Sequence, residues 1–313
     1  MRHITLLTLI GMLALGFQAC ERPFTYDPND VPVFEGLEAP TADEGHQIHV
    51  PPFPVPAQYE REFFLRMPIG NTEEIYVSRF QSLCRPGTHH LIAYGYEDEN
   101  DPRNPEVGVM RDQNLSDGRG NFNLTMGDGA MYYLTQEPNF TLELPEGSAL
   151  KIPGNATVDI NSHYFNATDE IRFGEVYLNF YTVPQEEITE VLVVDDINNS
   201  DELYLPPGET TDVEYVEMFD ETVEIRMMLS HMHKRGIQFD VYYVGGERDG
   251  ELIYSAFDYQ HPPTQFFEPL LSIPAGEGLR TVVRYFNETN RAISFGVTSE
   301  DEMGILFYLR KEI

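Results

Sequence analysis

The stretch LSHMHKRG, Leu229 to Gly236, carries two histidines one residue apart, between the apolar run IRMML and the alternating run IQFDVYYV. In an extended chain, residues i and i+2 project to the same face. His231 and His233 would therefore present both imidazoles to one point, as a metal ion requires. A second pair, His89 and His90, opens the apolar part of PGTHHLIAYGYE. Adjacent strand residues face opposite ways, so joint ligation needs a bend, which Pro86 and Gly87 could supply. His163, in NSHYFNA, enters another strand of the same half. Three histidines from one domain can make a trigonal imidazole site for copper or zinc, although each taken singly is more often a hydrogen-bonded structural residue.

The second half offers no obvious third histidine, since His261 lies in the loop QHPPTQ. The candidate third ligand is Met303, in TSEDEMGILFYLR, where core filling is the default role of a methionine ahead of an apolar strand. If Met303 does ligate, two imidazoles and a thioether favour Cu(I), because uncharged sulfur is a poor ligand for the harder zinc ion. His46 and His49 lie among prolines. Their spacing would suit a metal only in a helix, so they are expected to be solvated.

These residues need elements to position them. With 313 residues, 41% of them hydrophobic and 12% aromatic, the chain can build two domains of ordinary size. REFFLRMP, EEIYVSRF, HHLIAYGYE, NFNLTMG, AMYYLTQ, FTLELPEG, ATVDINSHYF and RFGEVYLNFYTVP all have strand character. A second series follows Pro184, from TEVLVVDD and DVEYVEMF through TVEIRMMLSH and IQFDVYYV to MGILFYL. No long stretch shows an apolar stripe of helical period. The expected architecture is all-β, two tandem antiparallel β-sandwich domains joined near Val183 to Glu187, spanning residues 56–185 and 186–313. The formal net charge of −32, spread along the chain, excludes nucleic acid as a partner and concentrates cations nearby.

The first twenty residues, MRHITLLTLIGMLALGFQAC, resemble a bacterial lipoprotein signal. The resemblance implies acylation of Cys20 and a protein exported to the cell envelope, anchored by lipid and facing the periplasm or the exterior. Residues 21–55, rich in proline and acid, read as a tether ending in an extended leading strand. With Cys20 lipidated, Cys84 has no disulfide partner and is expected to be a small buried apolar residue.

THHLIAYG, INSHYF, LSHMHKRG and SEDEMGIL, in that order and spacing, resemble the copper type II, ascorbate-dependent monooxygenase family, which includes the peptidylglycine α-hydroxylating and dopamine β-hydroxylating enzymes. The resemblance covers the chain from about Tyr59 to its end. It implies two jelly-roll domains, each holding one copper across an open cleft. His89, His90 and His163 match the electron-transfer site; His231, His233 and Met303 match the catalytic site. It also implies O2 and a one-electron donor such as ascorbate as co-substrates, a monomer, and a small-molecule substrate. Peptide-amidating relatives carry an arginine where this chain has Leu229, and polar Asn and Tyr contacts where it has Ile305 and Phe307. A neutral or apolar substrate is therefore expected in place of a peptide C-terminus. The same six ligands would also serve a copper-binding lipoprotein that holds or passes the ion without turnover. A structural protein with incidental histidines is the third reading.

Overall fold

The structure is a computed structural model that describes residues 27–114, 129–296 and 298–312. Cys20 with the rest of the signal segment, and the stretch NFNLTMG, lie outside these residues. Ten strands build the N-terminal half: β1 (Gly45–Val55), β2 (Tyr59–Pro68), β3 (Ile75–Cys84), β4 (Thr88–Tyr94), β5 (Met110–Asn114), β6 (Met131–Thr135), β7 (Asn139–Glu143), β8 (Ser148–Ile152), β9 (Thr157–Asn166) and β10 (Arg172–Val183). Ten more build the C-terminal half: β11 (Glu190–Asn198), β12 (Tyr204–Leu205), β13 (Thr210–Met218), β14 (Val223–Met232), β15 (Gly236–Val244), β16 (Leu252–Ala256), β17 (Gln265–Ile273), β18 (Gly278–Phe286), β19 (Ile293–Ser294) and β20 (Gly304–Lys311).

Each half is a jelly-roll β-sandwich. In the first, the five-stranded sheet β5-β2-β9-β4-β6 packs on β1-β10-β3-β8, with β7 added to β3. In the second, β13-β18-β15-β16 packs on β11-β20-β14-β17. Pairing is antiparallel except where the halves meet: Ser148–Leu150 of β8 run parallel to Glu190–Leu192 of β11 and fuse two sheets into one of nine strands. Glu190 fastens this seam. Its carboxylate accepts from the Ser148 hydroxyl and takes a two-pronged bond from Arg226, at 2.8 Å from Nε and 2.9 Å from Nη2.

The period-2 alternation of a strand becomes informative where both faces are covered. Along β2, β4 and β9, Phe63, Leu65, Leu91, Ala93, Ile160 and Tyr164 fill the first core. The alternate residues, Glu60, Glu62, His90, Asn161 and His163, point the other way, yet most of them are also buried. What covers them is the second half. On β14 and β20, Met228, Met232, Leu306 and Tyr308 fill the second core. Met227, Leu229 and Leu309 join the first core cluster, so the face that they share with His231, Ile305 and Phe307 is turned toward the first sandwich.

The segment 21–55 ends in a strand, as expected: β1 pairs with β10 from Gly45 to Val55 around a bulge between Val50 and Phe53. Ahead of it, the backbone of Pro32, Leu37 and Glu38 accepts bonds from Arg85, Gln47 and Asn179, so this stretch lies against the sandwich. His46, expected to be solvated, is half-buried, whereas His49 is exposed as expected and also bonds Glu175 at 2.9 Å and stacks on Tyr177 with ring centroids 4.1 Å apart. Cys84 is buried in the first core, as expected.

Candidate metal centre

β4 and β9 bring the first three histidines together. Thr88 pairs with Tyr164 and His90 with His163, which leaves His89 as the extra residue of a β-bulge. The bulge lets neighbours that would otherwise diverge turn inward together, and Gly87, at φ +103°, leads the chain into it. The bend expected from Pro86 and Gly87 is thus completed inside the strand. The ligating atoms of His89, His90 and His163 all lie within 4.8 Å of one another, with His89 Nδ1 and His90 Nδ1 3.4 Å apart.

His231 and His233 do share a face, with ring centroids 5.2 Å apart. The open cleft implied by the family resemblance is absent. The His89 ring lies 6.2 Å from His231 and 6.0 Å from His233, and His90 lies 6.4 Å from His231. Five imidazoles from two sandwiches thus form one cluster, with His163, His231 and His233 buried and His89 and His90 partly buried. The physical reason is the apolar character of the facing sheets, which close on each other and exclude the solvent that an open cleft would hold. Met303 immediately precedes β20, where Gly304 pairs with Met232, and it lines one cavity wall together with His231.

Four of the rings are held by hydrogen bonds that also select which nitrogen is free. His163 Nε2 donates to Glu60 at 2.9 Å, and His90 Nε2 donates to Asn161 Oδ1 at 2.8 Å. Both therefore offer Nδ1. His231 Nδ1 donates to Gln136 Oε1 at 2.6 Å and His233 Nδ1 donates to the Asp301 carbonyl at 3.2 Å, so these two offer Nε2. Two of these supporting residues, Glu60 and Gln136, reach across the seam. Glu60 also accepts from the backbone and hydroxyl of Ser299, and Gln136 donates to the Tyr259 carbonyl at 3.3 Å. Glu302 accepts from the His233 and Arg235 backbone amides and fixes the turn after β14.

The electrostatics favour the neutral form of His89, His231 and His233. Burial, then the neighbouring imidazoles, push His89 and His231 far below the usual histidine range. Burial likewise lowers His233 to about 4, against an opposing bond to the Asp301 carbonyl. Neutral imidazoles are the form that binds a metal. Burial raises the Glu60 and Glu62 carboxyls, but their histidine partners outweigh it and hold both below the ordinary value. Burial dominates at Glu302 and pushes it up to about 7.

Beside the cluster lies a cavity of about 190 Å³. Phe64, Ile92, Leu134, Phe295, Ile305 and Phe307 make it apolar, and His90, His231 and Met303 form its metal-centre side. Of the three residues compared with peptide-amidating relatives, Ile305 and Phe307 line this cavity. Leu229 does not, since it packs into the first core. The sequence reading missed Glu60, Glu62, Gln136 and Asn161. The signal available was YEREFF, in which two glutamates occupy one face of an otherwise apolar strand, a costly placement unless they have buried partners.

No family model matches the chain. Among solved structures it is similar to the STIV MCP, at 9% identity and TM-score 0.34 over 86% of this chain and 92% of that one. It is also similar to the Sputnik virophage structure, at 8% identity and TM-score 0.27 over 92% and 90% of the two chains. Procruciferin, an 11S globulin from Brassica napus, matches at 8% identity and TM-score 0.15 over 85% of each chain. Likeness at this level bears on nothing beyond the all-β architecture. Fold and site together define a double jelly-roll protein with a five-histidine centre between its sandwiches.

Proposed function

We propose that the histidine centre binds copper and that the protein is a copper-dependent monooxygenase. It would hydroxylate a C–H bond of a small neutral or apolar molecule, using O2 and a one-electron donor such as ascorbate. One observation carries this reading: His90 and His231, each oriented by a hydrogen bond, line one wall of an apolar cavity together with Met303. The donors fit copper, with His89, His90 and His163 as an all-nitrogen set and His231, His233 and Met303 as a set softened by sulfur. Bound copper would supply the one-electron steps by which O2 is reduced. The chain's own part is orientation and exclusion. Glu60, Asn161, Gln136 and the Asp301 carbonyl fix the ring nitrogens, and the apolar wall keeps water from the reacting carbon. Export and lipid anchoring at Cys20 would place this chemistry in the cell envelope.

The nearness of the two ligand sets, 6.0 to 6.4 Å between rings, favours a second reading in which one ion is held by both sets or handed between them without turnover. Copper stoichiometry and oxygen uptake separate the two. A monooxygenase binds two ions per chain, loses them in stages in His163→Ala and Met303→Ala, and shows ascorbate-driven O2 uptake that rises with substrate and collapses in Met303→Ala. Copper binding with no O2 uptake above free copper, across a broad substrate panel, would leave the holding or passing role. Absence of copper binding would reject both.

A further inference from the structure

The cavity wall carries two polar atoms that have no hydrogen-bond partner among the described residues. Glu62 Oε1 accepts from Asn161 Nδ2 at 2.8 Å, but Glu62 Oε2 has no hydrogen-bond partner, and neither does Gln113 Oε1. Both side chains belong to residues only 5% exposed. They are also neighbours, since Gln113 of β5 pairs directly with Glu62 of β2 and both line the cavity. Directly paired strand residues point to the same face with Cβ atoms about 5 Å apart. Two bare acceptors side by side in an apolar chamber are costly to maintain. Apart from Tyr94, Asn161 and the histidine side, the rest of the wall is apolar.

From this we infer that the cavity binds a small, mostly apolar molecule carrying an O–H or N–H donor at one end, with that donor received by Glu62 Oε2 and Gln113 Oε1. The assignment deepens the monooxygenase reading and rests on it for the word substrate, while the binding itself is independent of copper. An apolar protein cavity of ~150 Å³ takes a benzene ring. A chamber of about 190 Å³ therefore has room for a ring of that size and a one-carbon arm bearing the donor. Anchored at its polar end, such a molecule lays its apolar body along the wall shared by Ile305, Phe307 and Met303. Glu62 and Gln113 thereby set which end of the ligand is buried first and leave the opposite end for the metal-centre side.

The test compares benzyl alcohol with benzyl methyl ether, which has nearly the same body but no donor. Binding is measured by ligand-observed NMR and calorimetry on the copper-free full-length protein, so that failure here is separate from failure of the copper chemistry. The alcohol is expected to bind at least about tenfold more tightly, as a hydrogen bond to a charged acceptor provides. In Glu62→Gln an amide N–H replaces the bare oxygen, and the preference should shrink or invert toward the ether. In Gln113→Met, which keeps the volume, the alcohol should weaken while the ether does not. Equal affinity for the two ligands in the wild type, no binding of either, or a preference unchanged in both variants would overturn the assignment.

Discussion

Gln136 is the residue whose replacement tests the centre most directly. It comes from the loop after β6 in the first sandwich, yet its Oε1 accepts the Nδ1 proton of His231 in the second at 2.6 Å. His231 is only 7% exposed, so water cannot take over that bond. In Gln136→Ala the ring loses both the acceptor that fixes its tautomer and the contact that fixes its angle. A buried donor left unpaired costs about 1–3 kcal/mol, and loss of a partner that orients a metal-binding histidine weakens metal affinity by about 10- to 100-fold. The two scales agree, since tenfold corresponds to about 1.4 kcal/mol. The second bond of Gln136, at 3.3 Å to the Tyr259 carbonyl, adds little at that length. Copper(I) affinity, measured by competition with a chromophoric chelator, should therefore fall at least about tenfold in Gln136→Ala. In Gln136→Glu, which keeps an acceptor at the same reach, it should stay within about threefold. If Gln136→Ala binds copper as the wild type does while His231→Ala does not, the bond does not orient the ligand, and the assignment of Nε2 as the free nitrogen fails with it.

Other outcomes follow from the packing. Glu190→Ala removes the partner of Arg226, a side chain 12% exposed at the seam between the halves, and should lower unfolding stability by about 3 kcal/mol in denaturant titrations; a loss below about 1 kcal/mol would show the seam to be held by strand pairing alone. Glu175 is raised by burial but held below 4.5 by bonds from His49, Tyr177 and Arg85, so its stabilising effect is full above the unfolded carboxyl value and fades as pH falls through its own lower one. The stability difference between wild type and Glu175→Gln should thus be constant near neutrality and shrink below about pH 4.5, and a difference that grows on acidification would contradict it. Burial pushes the Cys84 thiol up to about 12, and iodoacetamide at pH 8 should label its peptide, read by mass spectrometry, only after denaturation.

Much of the architecture is legible in the residues themselves. Alternation and β-branched content place β2, β3, β9, β10 and nearly all of the C-terminal strands, because a side chain's face on a strand is set by the parity of its position. The i, i+2 spacing of His231 and His233 fixes their shared face for the same reason. Parity could not foresee the bulge at His89, which depends on how β4 registers against β9, nor where within residues 21–55 the expected leading strand begins, which pairing with β10 decides.

The chain by itself determined which side chains can bind a metal and which strand faces they occupy. Tertiary structure alone decided that five imidazoles meet in one place, that Gln136 and Glu60 reach across the seam to orient rings and loops of the other half, and that Glu62 Oε2 and Gln113 Oε1 lack hydrogen-bond partners among the described residues at the wall of one cavity. Those facts depend on how two sandwiches dock. Docking is settled by the total fit of apolar faces and by the parallel pairing of β8 with β11, contacts between residues far apart in sequence that no local pattern encodes.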